Sequence, residues 1–265
     1  MKLAVVADEI GTSIEEQIDS LKKANIHYIE MRKVDDKYLW EFSKDELKNM
    51  KIKLDENDIK VLTLDSPVGK KPIPYERKMK LFDIYLDISD IFEAENIRIF
   101  SNLGRNIEKV EIQENLKRLC KKAQARKRKL LIENERKTYA ESPVDCYDLI
   151  KNEKNINIIY DLSNAFLEGY DVFKEYEKAK GRITYIHLRD YDTKKQKYAH
   201  LGEGDIQIDK FIKKIVCDNF NGTISIETHL PINESGETKQ ELFLKSIKLF
   251  YNIANANKLV FEGER

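Results

Sequence analysis

The sequence has no excess of charge of one sign, no long apolar run and few cysteines. Lysine plus arginine and aspartate plus glutamate both number 47, so the formal net charge is zero, and the basic surface that attracts a phosphate backbone is missing. No stretch approaches the roughly 20 apolar residues that a membrane-spanning helix requires, and the apolar run after Met1 is too short for a signal peptide. We therefore expect a soluble protein with neither nucleic acid nor a membrane as its partner.

The cysteines, Cys120, Cys146 and Cys217, are odd in number and widely spaced, and none belongs to a Cys-x-x-Cys pair. Such a set is not the disulfide framework of a small secreted protein. We expect reduced, buried thiols in a cytoplasmic protein, none of them a nucleophile.

Eight short, β-branched apolar runs recur along the chain, with segments of helical periodicity between them. Strands that alternate with helices indicate parallel pairing with right-handed crossovers, and run starts about 25 to 40 residues apart suit eight such units. The sequence therefore predicts one (β/α)8 TIM barrel, a single domain over residues 1–265. An open doubly wound sheet is the alternative, but no Gly-x-Gly-x-x-Gly turn follows the first run. The runs lie at 3–7, 27–31, 61–64, 97–100, 130–132, 156–160, 183–186 and 223–226.

Helix starts are encoded locally. Ser13 and Ser43 each precede a glutamate by three residues, which is the capping-box pattern. Ser142 followed by Pro143 fits an N-cap with proline at the first helical position.

Each of the last four runs leads into a residue that can bind a metal: Glu133, Asp161, His187 and Glu227. The carboxyl-terminal rim of a barrel is where its active site lies, and adjacent strands are about 4.8 Å apart, so these side chains can converge. Three carboxylates buried together repel one another, and a divalent cation resolves that conflict. Three oxygen donors and one nitrogen favour Mn²⁺ or Mg²⁺, with Co²⁺ or Zn²⁺ as substitutes.

Around these residues the chain resembles the xylose isomerase-like barrels of sugar isomerases and epimerases. In that family a strand-five Glu, a strand-six Asp, a strand-seven His and a strand-eight Glu bind one divalent metal. The matching segments are Ile-Glu133-Asn, Tyr-Asp161-Leu-Ser-Asn164-Ala, His187-Leu-Arg189-Asp190, Leu-Gly202-Glu-Gly204-Asp205, Ile-Glu227-Thr-His229, Tyr28-Ile-Glu30-Met-Arg32 and Ser66-Pro67-Val-Gly69-Lys70.

The resemblance implies a metal-dependent isomerase or epimerase of a sugar, sugar phosphate or polyol. Glu133 and Glu227 are its acid/base pair as well as metal ligands, and Asp161 and His187 are ligands only. Proton transfer through a metal-stabilised enediolate is the implied reaction. The predicted substrate-binding residues are Arg189, Asn164, Lys70, Glu30 and Arg32.

The chain departs from the family pattern at two positions. Asn164 stands where some epimerases have His, and Arg189 stands where Lys is usual. Arginine offers a fixed fork of donors that suits a carboxylate, a phosphate or a pair of hydroxyls. We interpret the Gly202–Asp205 segment as a tight turn in which Asp205 caps the next helix, and we expect Asp190 to orient a neighbour or cap.

Two other functions stay open, and a third is disfavoured by the small number of histidines. A dehydratase of the inosose or dehydroshikimate type uses the same enediolate, and a non-catalytic sugar-binding barrel would need no chemistry at all. A related endonuclease for abasic DNA gathers three zinc ions with many histidines, whereas this chain has four histidines in total. The sequence also leaves a homo-oligomer open.

Overall fold

Eight parallel strands close into a barrel in the computed structural model, which describes residues 1–70, 73–104, 106–230 and 236–262. The strands are β1 Lys2–Val6, β2 Tyr28–Met31, β3 Lys60–Asp65, β4 Asn96–Ile99, β5 Lys129–Glu133, β6 Ile156–Asp161, β7 Ile183–Leu188 and β8 Thr223–Ile226. They follow one another around the barrel in chain order, and β8 pairs with β1 to close it. The predicted TIM barrel is confirmed, with each strand at its predicted place.

Helices lie between the strands and cover the outside of the barrel. They are α1 Ile14–Ala24, α2 Lys44–Asp55, α3 Tyr75–Phe92, α4 Lys109–Ala125, α5 Pro143–Ile150, α6 Leu162–Leu167, α7 Val172–Ala179, α8 Ile208–Cys217 and α9 Lys239–Ala256. Short 3-10 helices follow β1 at Ala7–Glu9 and precede α2 at Leu39–Glu41. Within the described ranges, none of these helices combines the length and apolar character needed to cross a bilayer.

The three predicted helix starts are confirmed. The hydroxyls of Ser13 and Ser43 accept hydrogen bonds from the backbone N–H three residues on, and both complete a capping box. Ser142 does the same with Asp145, and Pro143 is the first residue of α5. These caps satisfy N–H groups that have no partner within the helix.

Alternation along the strands separates an outer core from the barrel interior. Leu130 and Ile132 of β5 belong to the large core under the helices, whereas Leu131 packs with Ile159 and Tyr185 in a separate apolar cluster. Residues two apart on a strand share a face. The residues that follow this inner cluster by two positions on β5, β6 and β7 therefore also point into the barrel, at its carboxyl-terminal end.

The long connection after β7 is anchored by Asp190. Its carboxylate accepts hydrogen bonds from the backbone N–H groups of Tyr191, Gly202, Gly204 and Ile206, at 2.9 to 3.2 Å, which is the orienting role expected. The anchored segment includes a hairpin of Asp190–Asp192 with Lys197–Ala199 that lies at the rim.

The expectation that Asp205 caps α8 is wrong. Gln207 is the residue before α8 and makes no side-chain cap, while Asp205 accepts hydrogen bonds from the backbone N–H and hydroxyl of Thr193. Two residues separate Asp205 from the helix, so its carboxylate is used to close the hairpin instead.

We expect Gly204→Ala to lower the free energy of unfolding by about 1–3 kcal/mol, the usual cost of forcing extra atoms into a packed site. A Cβ at Gly204 would lie 2.3 Å from Asp190 Oδ1, so the turn around the carboxylate would have to open. Gly181→Ala is the matched control, because a Cβ there meets no atom within 4 Å. Denaturant unfolding of both variants measures the difference, and equal stabilities would contradict the tight approach.

Two of the three cysteines behave as predicted. Cys120 and Cys146 are buried, and burial raises the pKa of the Cys120 thiol to about 12. Cys217 is exposed, contrary to the prediction. It is the last residue of α8, beyond the buried face of that helix.

Candidate metal centre

Four side chains from adjacent strands converge inside the rim of the barrel. Glu133 and Asp161 end β5 and β6, His187 is the penultimate residue of β7, and Glu227 directly follows β8. Each offers a ligand atom, and these atoms all lie within 4.8 Å of one another. His187 Nδ1 lies 3.4 Å from Glu133 Oε1, 3.3 Å from Glu227 Oε2 and 3.9 Å from Asp161 Oδ2. The structure thus brings together the four residues that the sequence selected.

The chemistry of this cluster fits a divalent cation. All four residues are at most 2% exposed, and neither His187 Nδ1 nor Glu227 Oε2 has a hydrogen-bond partner among the described residues. A buried polar atom without a partner costs about 1–3 kcal/mol, and a bound cation removes that cost. Carboxylate oxygens with one imidazole nitrogen are donors for Mg²⁺ or Mn²⁺ and also for Zn²⁺. The cluster can hold one such ion.

Asp161 is fixed by its neighbours with one oxygen turned toward the cluster. Its Oδ1 caps α6, accepting hydrogen bonds from the Asn164 N–H at 2.7 Å and the Ser163 hydroxyl at 2.9 Å. The Asn134 side chain binds the backbone of Asp161 on both sides, through its N–H at 2.8 Å and its carbonyl at 3.0 Å. Oδ2 is left for the cluster, where it contacts Arg189.

Glu227 is held from the other side by Arg32, which follows β2. Arg32 Nη1 lies 2.6 Å from Glu227 Oε1, and Nη2 lies 2.7 Å from Glu9 Oε1. The Nε atom completes the set at 2.8 Å from Asp8 Oδ1. The guanidinium of Arg32 therefore links the carboxylate of Glu227 to the 3-10 helix after β1.

These cations keep the two glutamates of the cluster ionised. Burial alone raises the pKa of Glu227, but the charge of Arg189 and the smaller contributions of other cations hold this pKa well below its usual range. Burial likewise opposes ionisation of Glu133, yet the charge of Arg98 leads to a lowered pKa. Both side chains are therefore carboxylates at neutral pH, the form that binds a cation and accepts a proton.

The sequence pattern of the xylose isomerase-like TIM barrel matches residues 18–249. The chain belongs to this family. No curated protein is similar enough in sequence to serve as a relative, so the comparisons that remain are with solved structures of low sequence identity.

Three solved structures show the xylose isomerase-like fold of this chain. The IOLI protein, solved with a binding zinc atom, has a TM-score of 0.82 at 18% identity, over 97% of this chain and 99% of its own. A D-tagatose 3-epimerase-like protein has a TM-score of 0.76 at 17% identity, over 97% and 98%. The probable 3-DHS dehydratase AsbF from Bacillus anthracis has a TM-score of 0.77 at 13% identity, over 95% and 99%.

The five predicted substrate-binding residues of this xylose isomerase-like barrel all lie at the rim or inside it, and each contacts another residue. Glu30 contacts His187, Arg32 contacts Glu227, Asn164 contacts Asn134, Arg189 contacts Asp161, and Lys70 contacts Glu135. The side chain of Lys70 is half exposed, whereas Glu30 is completely buried. Their roles toward a substrate stay predictions.

His229 and Glu9 form a pair beside Glu227 that the sequence did not predict. The backbone N–H and ring Nδ1 of His229 each lie 2.8 Å from an oxygen of Glu9, and ring Nε2 lies 3.4 Å from Glu227 Oε1. His229 also has a positive φ of 49°, an unusual conformation that Glu9 stabilises. The only sequence signal was that His229 follows Glu227 by two residues. Glu9 gave none.

A cavity of about 400 Å³ adjoins this pair and is large enough for a small ligand. Tyr198, carried by the anchored hairpin, lines this cavity and also a second cavity of about 310 Å³. The larger cavity is lined by Asp8, Glu9, Tyr198, Thr228, His229, Leu230, Lys239 and Leu242.

Two further charged residues were missed inside the barrel. Asp65 ends β3 and Arg98 lies in β4, where they are 1% and 6% exposed. Burial raises the pKa of Asp65 well above its usual value, against the opposing charge of Arg98. The pKa of Glu30 is lowered to about 2, because the His187 ring and hydrogen bonds outweigh burial. A charge directly after the run 61–64 was the signal for Asp65, and a charge inside the run 97–100 was the signal for Arg98.

Proposed function

We propose that this protein is a divalent-metal-dependent isomerase or epimerase of a sugar, a sugar phosphate or a polyol. One observation carries the proposal. The carboxylates of Glu133 and Glu227 approach His187 Nδ1 at 3.4 and 3.3 Å from different strands of a buried cluster. This arrangement offers two ionised bases around one position, and the cluster has the donors to hold a metal ion there.

Proton transfer between two carbon faces is the chemistry that suits this pair. A bound divalent ion, held by Glu133, Asp161, His187 and Glu227, supplies Lewis-acid polarisation of a substrate carbonyl. Glu227 would take the proton from the neighbouring carbon to give an enediolate, and Glu133, once it has taken up a proton from solvent, would deliver that proton to the other face. Glu227 would then release its proton to solvent, which restores both carboxylates. A proton delivered to the same carbon inverts the configuration of that carbon, which is epimerisation. A proton delivered to the former carbonyl carbon moves the carbonyl group, which is isomerisation.

Arg189 is the residue that we assign to the substrate. Its side chain is buried, and its Nε has no hydrogen-bond partner within the described part of the chain. The Cζ atom of Arg189 also lies 5.7 Å from the centre of the Tyr198 ring, and Tyr198 lines both rim cavities. It can thus donate to a hydroxyl, carboxylate or phosphate of a ligand that enters beside Tyr198.

A dehydratase is the second candidate, and the position of His229 favours it. Dehydration begins with the same proton abstraction by Glu227. It then needs a group that protonates the departing hydroxyl, and the His229 imidazole lies 3.4 Å from that carboxylate. A protein with the same fold is described as a probable 3-DHS dehydratase, which supports this candidate.

The experiment is a screen of ketoses, inososes and hydroxy-keto acids in D₂O with protein loaded separately with Mn²⁺, Mg²⁺, Co²⁺ or Zn²⁺. An epimerase or isomerase incorporates deuterium and interconverts two sugars. A dehydratase yields a product that has lost one water. Purified protein that retains no metal and exchanges no substrate proton under any condition would contradict both candidates and favour a non-catalytic barrel.

A further inference from the structure

The half of the barrel that carries no predicted metal ligand has charged side chains at the same inner level. Glu30 of β2, Asp65 of β3 and Arg98 of β4 are 0%, 1% and 6% exposed. Burying three ionisable groups in a barrel interior is costly unless each has a partner. Their contacts show what each one does.

Glu30 binds the side of the His187 ring that faces away from the ligand cluster. Ring Nε2 lies 3.1 Å from both carboxylate oxygens of Glu30. A carboxylate oxygen accepts hydrogen bonds, so the ring makes this contact when Nε2 carries a hydrogen. Ring Nδ1 then faces Glu133 and Glu227 with no hydrogen-bond partner of its own.

Glu30 is itself fixed by the charges behind it. The Asp65 carboxyl lies next to Glu30 and helps to lower its pKa, and Asp65 Oδ2 lies 3.1 Å from Arg98 Nη1. The same nitrogen of Arg98 lies 3.1 Å from Glu133 Oε2. A continuous chain of side chains therefore runs from His187 through β2, β3 and β4 to a second member of the cluster.

We propose that Glu30 is a positioning residue that makes Nδ1 of His187 the atom that binds the metal. This proposal rests on the metal centre of the proposed function. Partners that hydrogen bond to the far nitrogen of a metal-binding histidine fix its tautomer and ring orientation and make it a stronger ligand. Glu30 thereby acts through His187 and not by contact with the substrate.

The first test identifies the nitrogen that binds metal. Long-range ¹⁵N–¹H spectra of protein labelled at histidine are simple here, because the chain has four histidines, and His27→Gln and His200→Gln help to assign them. In zinc-loaded wild-type protein we expect metal-shifted Nδ1 and protonated Nε2 on His187. Metal on Nε2 would overturn the proposal, and the absence of any metal-induced shift on His187 would overturn the metal centre as well.

The second test is Glu30→Gln, which keeps the shape but removes the negative charge and one acceptor. We expect the dissociation constants for Zn²⁺ and Mn²⁺ to rise about 10- to 100-fold, while thermal unfolding of the metal-free variant stays cooperative. Glu175→Gln on α7 is the matched control, a largely buried glutamate that belongs to no ligand cluster, and its metal affinity should not change.

Metal affinity of Glu30→Gln within twofold of wild type would overturn the proposal while leaving the proposed function intact. If the variant does not fold, the wild-type spectra still decide, because the tautomer of His187 is measured without any substitution.

Discussion

Replacement of Glu227 by glutamine should abolish exchange of the substrate's carbon-bound proton with solvent, a loss of about 10²–10⁴-fold or more. The amide has nearly the same shape but cannot accept a proton at neutral pH. In the wild-type protein the pKa of Glu227 is held well below its usual range, with burial opposed first by Arg189. The base is thus ready in its ionised form, and deuterium incorporation followed by NMR measures its loss.

Metal occupancy must be held constant in that comparison, because Glu227 is also a predicted ligand. The variant is therefore assayed at saturating metal, with bound metal determined by elemental analysis. Glu177→Gln on α7 serves as the control, since Glu177 is an exposed glutamate that lines neither rim cavity. Exchange that persists in a fully loaded Glu227→Gln protein would refute the assignment of the base, and the same test applies to Glu133.

Removal of the metal should abolish activity and lower thermal stability. A ligand present at 100 times its dissociation constant stabilises the folded state by about 2.7 kcal/mol, equivalent to a shift of about 5–10 °C in melting temperature for a chain of this size. The physical reason is that the ion neutralises carboxylates buried together in the cluster. Melting curves with chelator and with added Mn²⁺ measure the shift, and activity should return with the metal.

Asp161→Asn tests whether this stabilisation comes from the predicted site. Asparagine keeps the capping of α6, because it is as good an N-cap as aspartate, but it is a neutral and weaker ligand. Asp171→Asn is a close control, since Asp171 caps the adjacent helix α7 through two backbone N–H groups. We expect Asp161→Asn alone to lose most of the metal-induced shift; equal shifts in both variants would place the ion elsewhere.

Local patterns were sufficient for the barrel and for the four converging side chains. Strands in a parallel barrel are buried on both faces, so runs such as residues 3–7 stand out as continuous apolar segments. Strand ends share one rim, and the residue after a run is then identified by position alone. Glu133 and Asp161 were found in this way, without knowledge of any contact between strands.

The supporting residues could not be found in this way because their partners are distant in sequence. Glu30 and His187 are separated by 157 residues, and His229 and Glu9 by 220. A single charge in a strand gives no sign of which strand will neutralise it. Asp65 and Arg98 therefore become intelligible only once the closed barrel places their strands side by side.

The conformations of the rim loops also could not be predicted from the sequence. The hairpin after β2, formed by Lys33–Val34 and Lys37–Tyr38, turns through Asp35 and Asp36, which both have positive φ, at 50° and 58°. Asn-Gly or Asp-Gly is the usual signal for such a turn, and here a second aspartate replaces the glycine. The prediction that Asp205 caps α8 was wrong for a related reason. A good capping residue near a helix start can instead accept hydrogen bonds from a neighbouring hairpin.

The two oxygens of Asp161 have different roles. One caps the start of α6, and the other belongs to the ligand cluster. A redesign that grafts a longer acid onto this position would have to choose between them, because glutamate extends the carboxylate past the backbone N–H of Asn164. The aspartate is consequently a fixed point around which other rim residues can be varied. Libraries that aim at new substrates are best confined to the loops that carry Tyr198 and Lys70.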